Sequence, residues 1–162
     1  MPQAVTHVIL TIILIDIYRH YFAKKKFPRW YLLVGGIAGL LPDIDMPIGW
    51  AYNWVFGTSY NFHGGITHIF LIPICIAFLA FLVYKIKDKK LGFLMGLIAF
   101  GWAFHIFLDF IVLAAYMPFW PFYTQSLFSP LMDPTQMAGL DAVLLLLWLV
   151  HEEVAHKIRD YI

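Results

Sequence analysis

Apolar residues run along this chain in long blocks, without the alternation of a strand or the narrow stripe of a water-facing helix. Four blocks, approximately 4–22, 66–84, 91–113 and 137–155, reach the roughly 20 residues that cross a bilayer as a helix. A fifth, about 29–41, is shorter, contains YLLVGGIAGLL and stops before Pro42. A proline disfavours helix at the residue before it, so this element is expected to end inside the bundle. The pattern predicts an all-α, polytopic membrane bundle of about five transmembrane helices, the second one short. It is read as a single membrane-embedded domain over residues 1–162. No repeats interrupt it, and two connections, 42–65 and 114–136, are rich in Pro, Gly, Trp and Tyr. The first block is expected to be a retained span, since it lacks the basic leader and small-residue cleavage site of a signal peptide.

Composition agrees with lipid as the main solvent. The chain is 62% hydrophobic and only 13% charged, against about 25% charged in soluble domains, and its mean hydropathy is +0.77. A net charge of +1 implies no strongly basic or acidic partner, and nucleic acid is not an expected one. The single Cys75 excludes an internal disulfide and a multi-cysteine metal site. The distribution of charge is more informative than its sum. All 11 Lys and Arg fall at the end of the 4–22 block, in the links that follow the 4–22 and 66–84 blocks, and in the C-terminal tail. With five crossings these places share one side, and the positive-inside rule makes it the inner one. The N-terminus and the 42–65 and 114–136 connections, which lack Lys and Arg, are then outside, and the C-terminus inside.

Ionisable residues at membrane depth are expensive and mark a function or a specific pairing. His7 lies in the first turn of the first block. Asp43 and Asp45 stand in LLPDIDMP, His63 and His68 in FHGGITHI, and His105 and Asp109 in AFHIFLDF. On the derived topology all seven fall toward the outer side. His105 and Asp109 are i, i+4 and share a helix face. Asp43 and Asp45 are two apart, so one can point inward while the other caps or orients a neighbour. Gly64 and Gly65 permit a tight turn between His63 and the next helix. Four imidazoles and three carboxylates without thiolates suit Zn²⁺, Mn²⁺ or Fe²⁺. The number exceeds the three or four protein ligands of one catalytic zinc, so one or two ions are expected, and two could clamp a phosphoryl group. Other polar residues read as structural: Asp16 and His20 as an intrahelical pair, Asp141 as a cap opening the last helix or as a partner to the site, and Trp102, Trp120 and Trp148 as belt and packing residues. The tail sequence HEEVAH has Ala155 where a zincin needs its second histidine, and is set aside.

In these motifs the chain resembles the YdjM-like family of inner-membrane-associated proteins assigned as metal-dependent hydrolases. That family's pattern is an early His, an LPDxD stretch, an HRGxTH stretch and a late HxxxD. Here these are His7, Leu41–Asp45, His63–His68 and His105–Asp109, in the same order over most of the chain. Two positions depart: Gly64 stands for the family's Arg, removing a cation that could meet an anionic substrate, and Val112 stands for its Thr. More distantly, the order of motifs is similar to zinc-dependent phospholipase C and the P1-type nucleases. That likeness implies His7, one of Asp43 and Asp45, one of His63 and His68, His105 and Asp109 as ligands. The further ligands of those enzymes have no match here, so two ions rather than three are expected.

The resulting expectation is an integral membrane metal-dependent hydrolase in the inner or plasma membrane, with its site toward the extracytoplasmic side. It would act on a phosphoester of a lipid or amphiphilic substrate through a metal-activated hydroxide. His7, Asp43, His63, His68, His105 and Asp109 are the expected ligands of a divalent metal, Zn first and Mn or Fe next. Asp45 and Asp43 are the expected catalytic carboxylates, with Asp45 as base or orienter. The competing expectation is a metal-ion or proton transporter that uses the same cluster as its ion site. Membrane lipid and a lipid-like substrate are the expected partners, and the oligomeric state is left open.

Overall fold

The computed structural model describes residues 4–113, 118–122 and 131–156. Most of the 114–136 connection and the basic tail with Lys157 and Arg159 lie outside the described residues. The chain is an all-helical membrane protein, and no strand occurs among the described residues. Helix α1 runs Ala4–Ile17 and passes into a π-helical turn at Tyr18–Phe22. Helix α2 is Trp30–Ala38, followed by a 3₁₀ turn at Pro42–Ile44 and helix α3 at Asp45–Phe56. A second 3₁₀ turn, Ile66–His68, precedes α4 at Leu71–Ile86, and α5 and α6 are Lys89–Leu113 and Pro134–His156.

Two features differ from the hydropathy reading. The 42–65 stretch, expected to be a loop, is largely helical. Asp45 sits in the first turn of α3, where an acidic side chain complements the helix dipole. Pro47 falls in that same turn, where its missing N–H costs no helical hydrogen bond. Gly57 ends the helix in the left-handed conformation at φ 61°. The prolines and glycines that looked like loop signals are therefore the two ends of a helix. The second difference concerns spans. Ala4–Phe22 and Lys89–Val112 are long and apolar enough to cross a membrane, and α2 with α3 makes a third if that pair, bent by 54°, counts as one span. The block at 66–84 shortens to the 16-residue α4, because its first residues form the 3₁₀ turn that carries His68.

Helices α1, α2 and α5 form the centre, and small residues let them close on one another, as is usual between membrane helices. A Cβ at Gly101 on α5 would lie 2.4 Å from the Gly35 carbonyl oxygen on α2, so only glycine allows this crossing. At one end of the trio the core is apolar: Ile15, Tyr31 and Leu97 are buried, with Phe27, Leu32, Phe93 and Leu94 packed around them. At the other end the buried side chains include His7, Thr11, His68, His105 and Asp109. The same three helices thus enclose an oily half and a polar half.

Candidate metal centre

The polar half gathers residues from four separate stretches. The first turns of α1 supply His7, the 3₁₀ turn after α2 supplies Asp43, the second 3₁₀ turn supplies His68, and the last third of α5 supplies His105 and Asp109. Imidazole Nε2 atoms face carboxylate oxygens throughout. Asp109 Oδ2 lies 3.2 Å from His105 Nε2 and 3.7 Å from His68 Nε2, while Asp109 Oδ1 lies 3.3 Å from His7 Nε2. Asp43 Oδ1 lies 3.4 Å from His105 Nε2 and 3.6 Å from His68 Nε2. The rings of His7 and His105 stack with centroids 3.8 Å apart.

These separations are long for hydrogen bonds, whose usual range is about 2.7–3.2 Å. Indeed Nε2 of His7 and His105, Oδ1 of Asp43 and both oxygens of Asp109 are buried with no hydrogen-bond partner among the described residues. Leaving several buried polar atoms unsatisfied would cost about 1–3 kcal/mol each. Two ligands on one tetrahedral ion, each about 2.0–2.1 Å from it, stand about 3.3–3.4 Å apart. The observed 3.2–3.7 Å from His68 and His105 to Asp43 and Asp109 matches that spacing, and the ligand atoms close enough to share an ion are those of Asp43, His68 and His105 and those of His7, His105 and Asp109. The donor set therefore fits a divalent ion.

Hydrogen bonds around the cluster hold these rings in place. His105 Nδ1 donates to the Gly39 carbonyl at 2.6 Å, and a carbonyl can only accept, so the Nε2 lone pair is left facing Asp43 and Asp109. His68 is fixed through a relay. Its Nδ1 lies 3.0 Å from the Thr67 hydroxyl, which donates to Asp45 Oδ2 at 2.8 Å. Asp45 also accepts from the Gly64 backbone N–H at 3.1 Å and from His63 Nδ1 at 2.9 Å. Gly64 adopts φ 81° to make that contact, a backbone region that side chains resist.

The seven residues singled out from the sequence thus fall in two groups. His7, Asp43, His68, His105 and Asp109 face one another. His63 and Asp45 pair at the edge, with His63 Nδ1 3.9 Å from Asp43 Oδ1. A metal-compatible triad of Asp45, His63 and His68 also exists, but the oxygens of Asp45 are occupied by the hydrogen bonds just described. Asp43 and His63 are the most open members, with side chains 20% and 13% exposed. The centre is therefore approached from their side.

Some residues of this framework carried no assigned role in the sequence, and others a different one. Thr67 was visible only as part of the HGGITH pattern. Gly39 contributes a carbonyl, which no side-chain pattern reports. Trp102, expected to be a belt or packing residue, donates from Nε1 to the Thr67 carbonyl at 2.9 Å and so pins the turn that carries His68. Asp141 does not open its helix. It lies seven residues beyond Pro134 and accepts from the backbone N–H of Thr6 at 3.1 Å and from the Thr6 hydroxyl, capping α1 beside His7. The pairing of Asp16 with His20 is as expected, at 3.3 Å, and Arg19 joins it at 3.7 Å.

Comparison with known proteins returns one family. The family described as YdjM inner membrane protein matches residues 1–158. No curated protein and no solved structure matches the chain, so the likeness to zinc-dependent phospholipase C and the P1-type nucleases rests on motif order alone.

Proposed function

The chain belongs to the YdjM inner membrane protein family, and from that membership and the ligand geometry we propose that it is a metal-dependent hydrolase of membrane lipids or lipid-like phosphoesters. The observation that carries the reading is the set of buried Nε2 and carboxylate atoms that face one another at 3.2–3.7 Å. Asp43, His68, His105 and Asp109 would hold one divalent ion, zinc being the first choice for this N/O set. His7 with the second oxygen of Asp109 provides the beginning of a neighbouring position. When bound, the ion supplies Lewis-acid charge to an ester or phosphoryl oxygen.

The remaining work falls to the chain itself. Asp45 orients His68 through Thr67 and holds His63 directly. His63 stands at the open edge, where it can keep or release a proton next to a substrate entering over Asp43. The surroundings of that edge support an amphiphilic substrate. Helix α3, which begins at Asp45, exposes Ile48, Trp50, Trp54 and Phe56, and tryptophans are enriched where membrane meets water. We place the site on the outer side of a multi-pass chain, since the Lys and Arg residues cluster away from it.

The transporter alternative needs polar groups continuing through the bundle. Beyond Thr11 the described core of this trio runs through Ile12, Ile15, Tyr31 and Leu97, and Asp16 further along α1 leaves only a thin path. The test is hydrolysis of phosphoester and lipid-phosphate substrates by purified protein before and after metal removal. Turnover that requires a divalent ion and disappears in His105→Ala is expected. Ion flux in proteoliposomes without turnover would overturn the reading in favour of transport.

A further inference from the structure

Between Asp45 and His63 the chain makes an excursion that is closed at its base. His63 Nδ1 donates to Asp45 Oδ1 at 2.9 Å, and the Gly64 backbone N–H donates to Asp45 Oδ2 at 3.1 Å. From that base α3 runs out, and residues 58–62 return along it. Asn53 fastens the two parts. Its side-chain N–H donates to the Tyr60 carbonyl at 2.8 Å, and its oxygen accepts from the Thr58 hydroxyl at 2.7 Å and the Tyr60 N–H at 3.0 Å. Phe62 lies against Gly49, where a Cβ would stand 3.0 Å from its ring, and meets Tyr52 edge-on at 5.1 Å. Asp45, Gly49 and Asn53 are four apart and share one face of α3, which is the covered face.

The other faces of this lobe are apolar and open. Ile48, Trp50, Val55 and Phe56 are more than half exposed, and Trp54 is 87% exposed. At 3.6 residues per turn, Trp50 and Val55 point about 140° apart, so the open apolar surface wraps more than one side. One flat protein surface would cover a single side, whereas lipid covers every side that is left. Residues 46–62 contain no Asp, Glu, Lys or Arg, so burial and not charge has to hold the lobe in place.

Length and position decide how deep it goes. Helix α3 has 12 residues, about 18 Å, which is short of the roughly 30 Å hydrocarbon core, and it turns 54° away from α2. It also starts near the end of a span. Asp43, just before it, belongs to the cluster that includes His7, and His7 lies in the first turn of the Ala4–Phe22 span. The far tip is polar, with Thr58, Ser59 and Asn61 exposed. Tryptophan and tyrosine are enriched where membrane meets water, and the lobe carries Trp50, Tyr52, Trp54 and Tyr60.

We propose that the 45–62 lobe is a membrane-docking element that lies in the headgroup layer, half-inserted and not part of a crossing. Because Asp45 begins the lobe and His63 follows it, the open edge of the metal centre faces that same layer.

The test is depth. Nitroxide labels are placed at Trp50→Cys, Val55→Cys and Ser59→Cys of the full chain, each with Cys75→Ser, and at Ile37→Cys as a lipid-facing reference on α2. The proteins are reconstituted in phosphatidylcholine vesicles, and collisions with oxygen and with a water-soluble nickel chelate are compared. The Trp50 and Val55 labels should both favour oxygen several-fold over the chelate, yet sit shallower than the Ile37 label. The Ser59 label should meet the chelate more freely than either. Labels at 50 and 55 as open to the chelate as Ser59 would place the lobe in water, and labels as deep as Ile37 would make it part of a span. A label at 50 or 55 shielded from both reagents would point to a second copy or another protein on that side. Each of these results overturns the proposal. The unsubstituted chain supplies a second reading through tryptophan quenching by brominated lipids. The fluorescence lost in a Trp50→Phe, Trp54→Phe double variant should be quenched several-fold more by bromines near the headgroup than by bromines near the chain end. Equal quenching, or none, would also overturn it. Neither reading depends on metal binding or turnover.

Discussion

Among the described residues two aspartate–histidine pairs stand at i, i+4 spacing, and they have opposite fates. His105 and Asp109 on α5 are completely buried and meet His7, Asp43 and His68 from three other stretches. Asp16 and His20 at the end of α1 are 21% and 36% exposed, and Arg19 and the Asp16 carbonyl share their charges locally. Identical spacing therefore says little about chemistry. What separates the pairs is convergence. The first is enclosed where α2 and α5 touch at glycine, and its facing atoms, His105 Nε2 and both oxygens of Asp109, have no hydrogen-bond partner among the described residues. The second is screened and closes its hydrogen bonds within its own turn.

That contrast can be broken most severely at the buried pair. Asp109→Ala removes the carboxylate shared by three histidines, and metal affinity should fall by more than about 100-fold, which titration with zinc would show. Asp45→Asn leaves the facing atoms in place but loosens the relay through Thr67 and the bond to His63. A loss of about 10–100-fold in metal affinity is expected, recoverable at high metal concentration. Gly101→Ala touches neither pair. Its Cβ would collide with the Gly35 carbonyl and force α2, with the Gly39 acceptor of His105, away from α5. A stability loss of about 1–3 kcal/mol is expected, read from the unfolding midpoint in detergent, with weaker metal binding alongside. The smallest effect belongs to the exposed pair: Asp16→Asn or His20→Ala should change stability by no more than about 1 kcal/mol and leave metal content unaltered.

Much of this division was legible in the sequence, and for definite reasons. His7, Asp43, Asp45, His63, His68, His105 and Asp109 stood out because an ionisable side chain at membrane depth is costly enough to require a purpose. The helical class followed from block length. What the sequence hid was contributed by backbone and by tertiary approach. The Gly39 carbonyl has no side-chain signature. Trp102 resembles any membrane tryptophan until the Thr67 carbonyl is seen beside its indole. Asp141 read as a cap of its own helix or as a partner to the site, and only the packing of α6 against the start of α1 decides between them. Helix α3 was missed because Pro47 and Gly57, taken without position, resemble loop residues, whereas one lies in a first turn and the other just beyond a last one. The division between Asp43 and Asp45 was equally hidden. Only the donors around Asp45 show that its oxygens are already engaged.

The facing imidazoles and carboxylates are proposed to form a metal site. That assignment is tested most directly by anomalous scattering from crystals of the full chain grown with zinc, recorded on both sides of the metal absorption edge. The account predicts a peak enclosed by Asp43, His68, His105 and Asp109, absent in Asp109→Ala crystals. A map with no peak there, or with zinc only at the exposed Asp16–His20 pair, would contradict it.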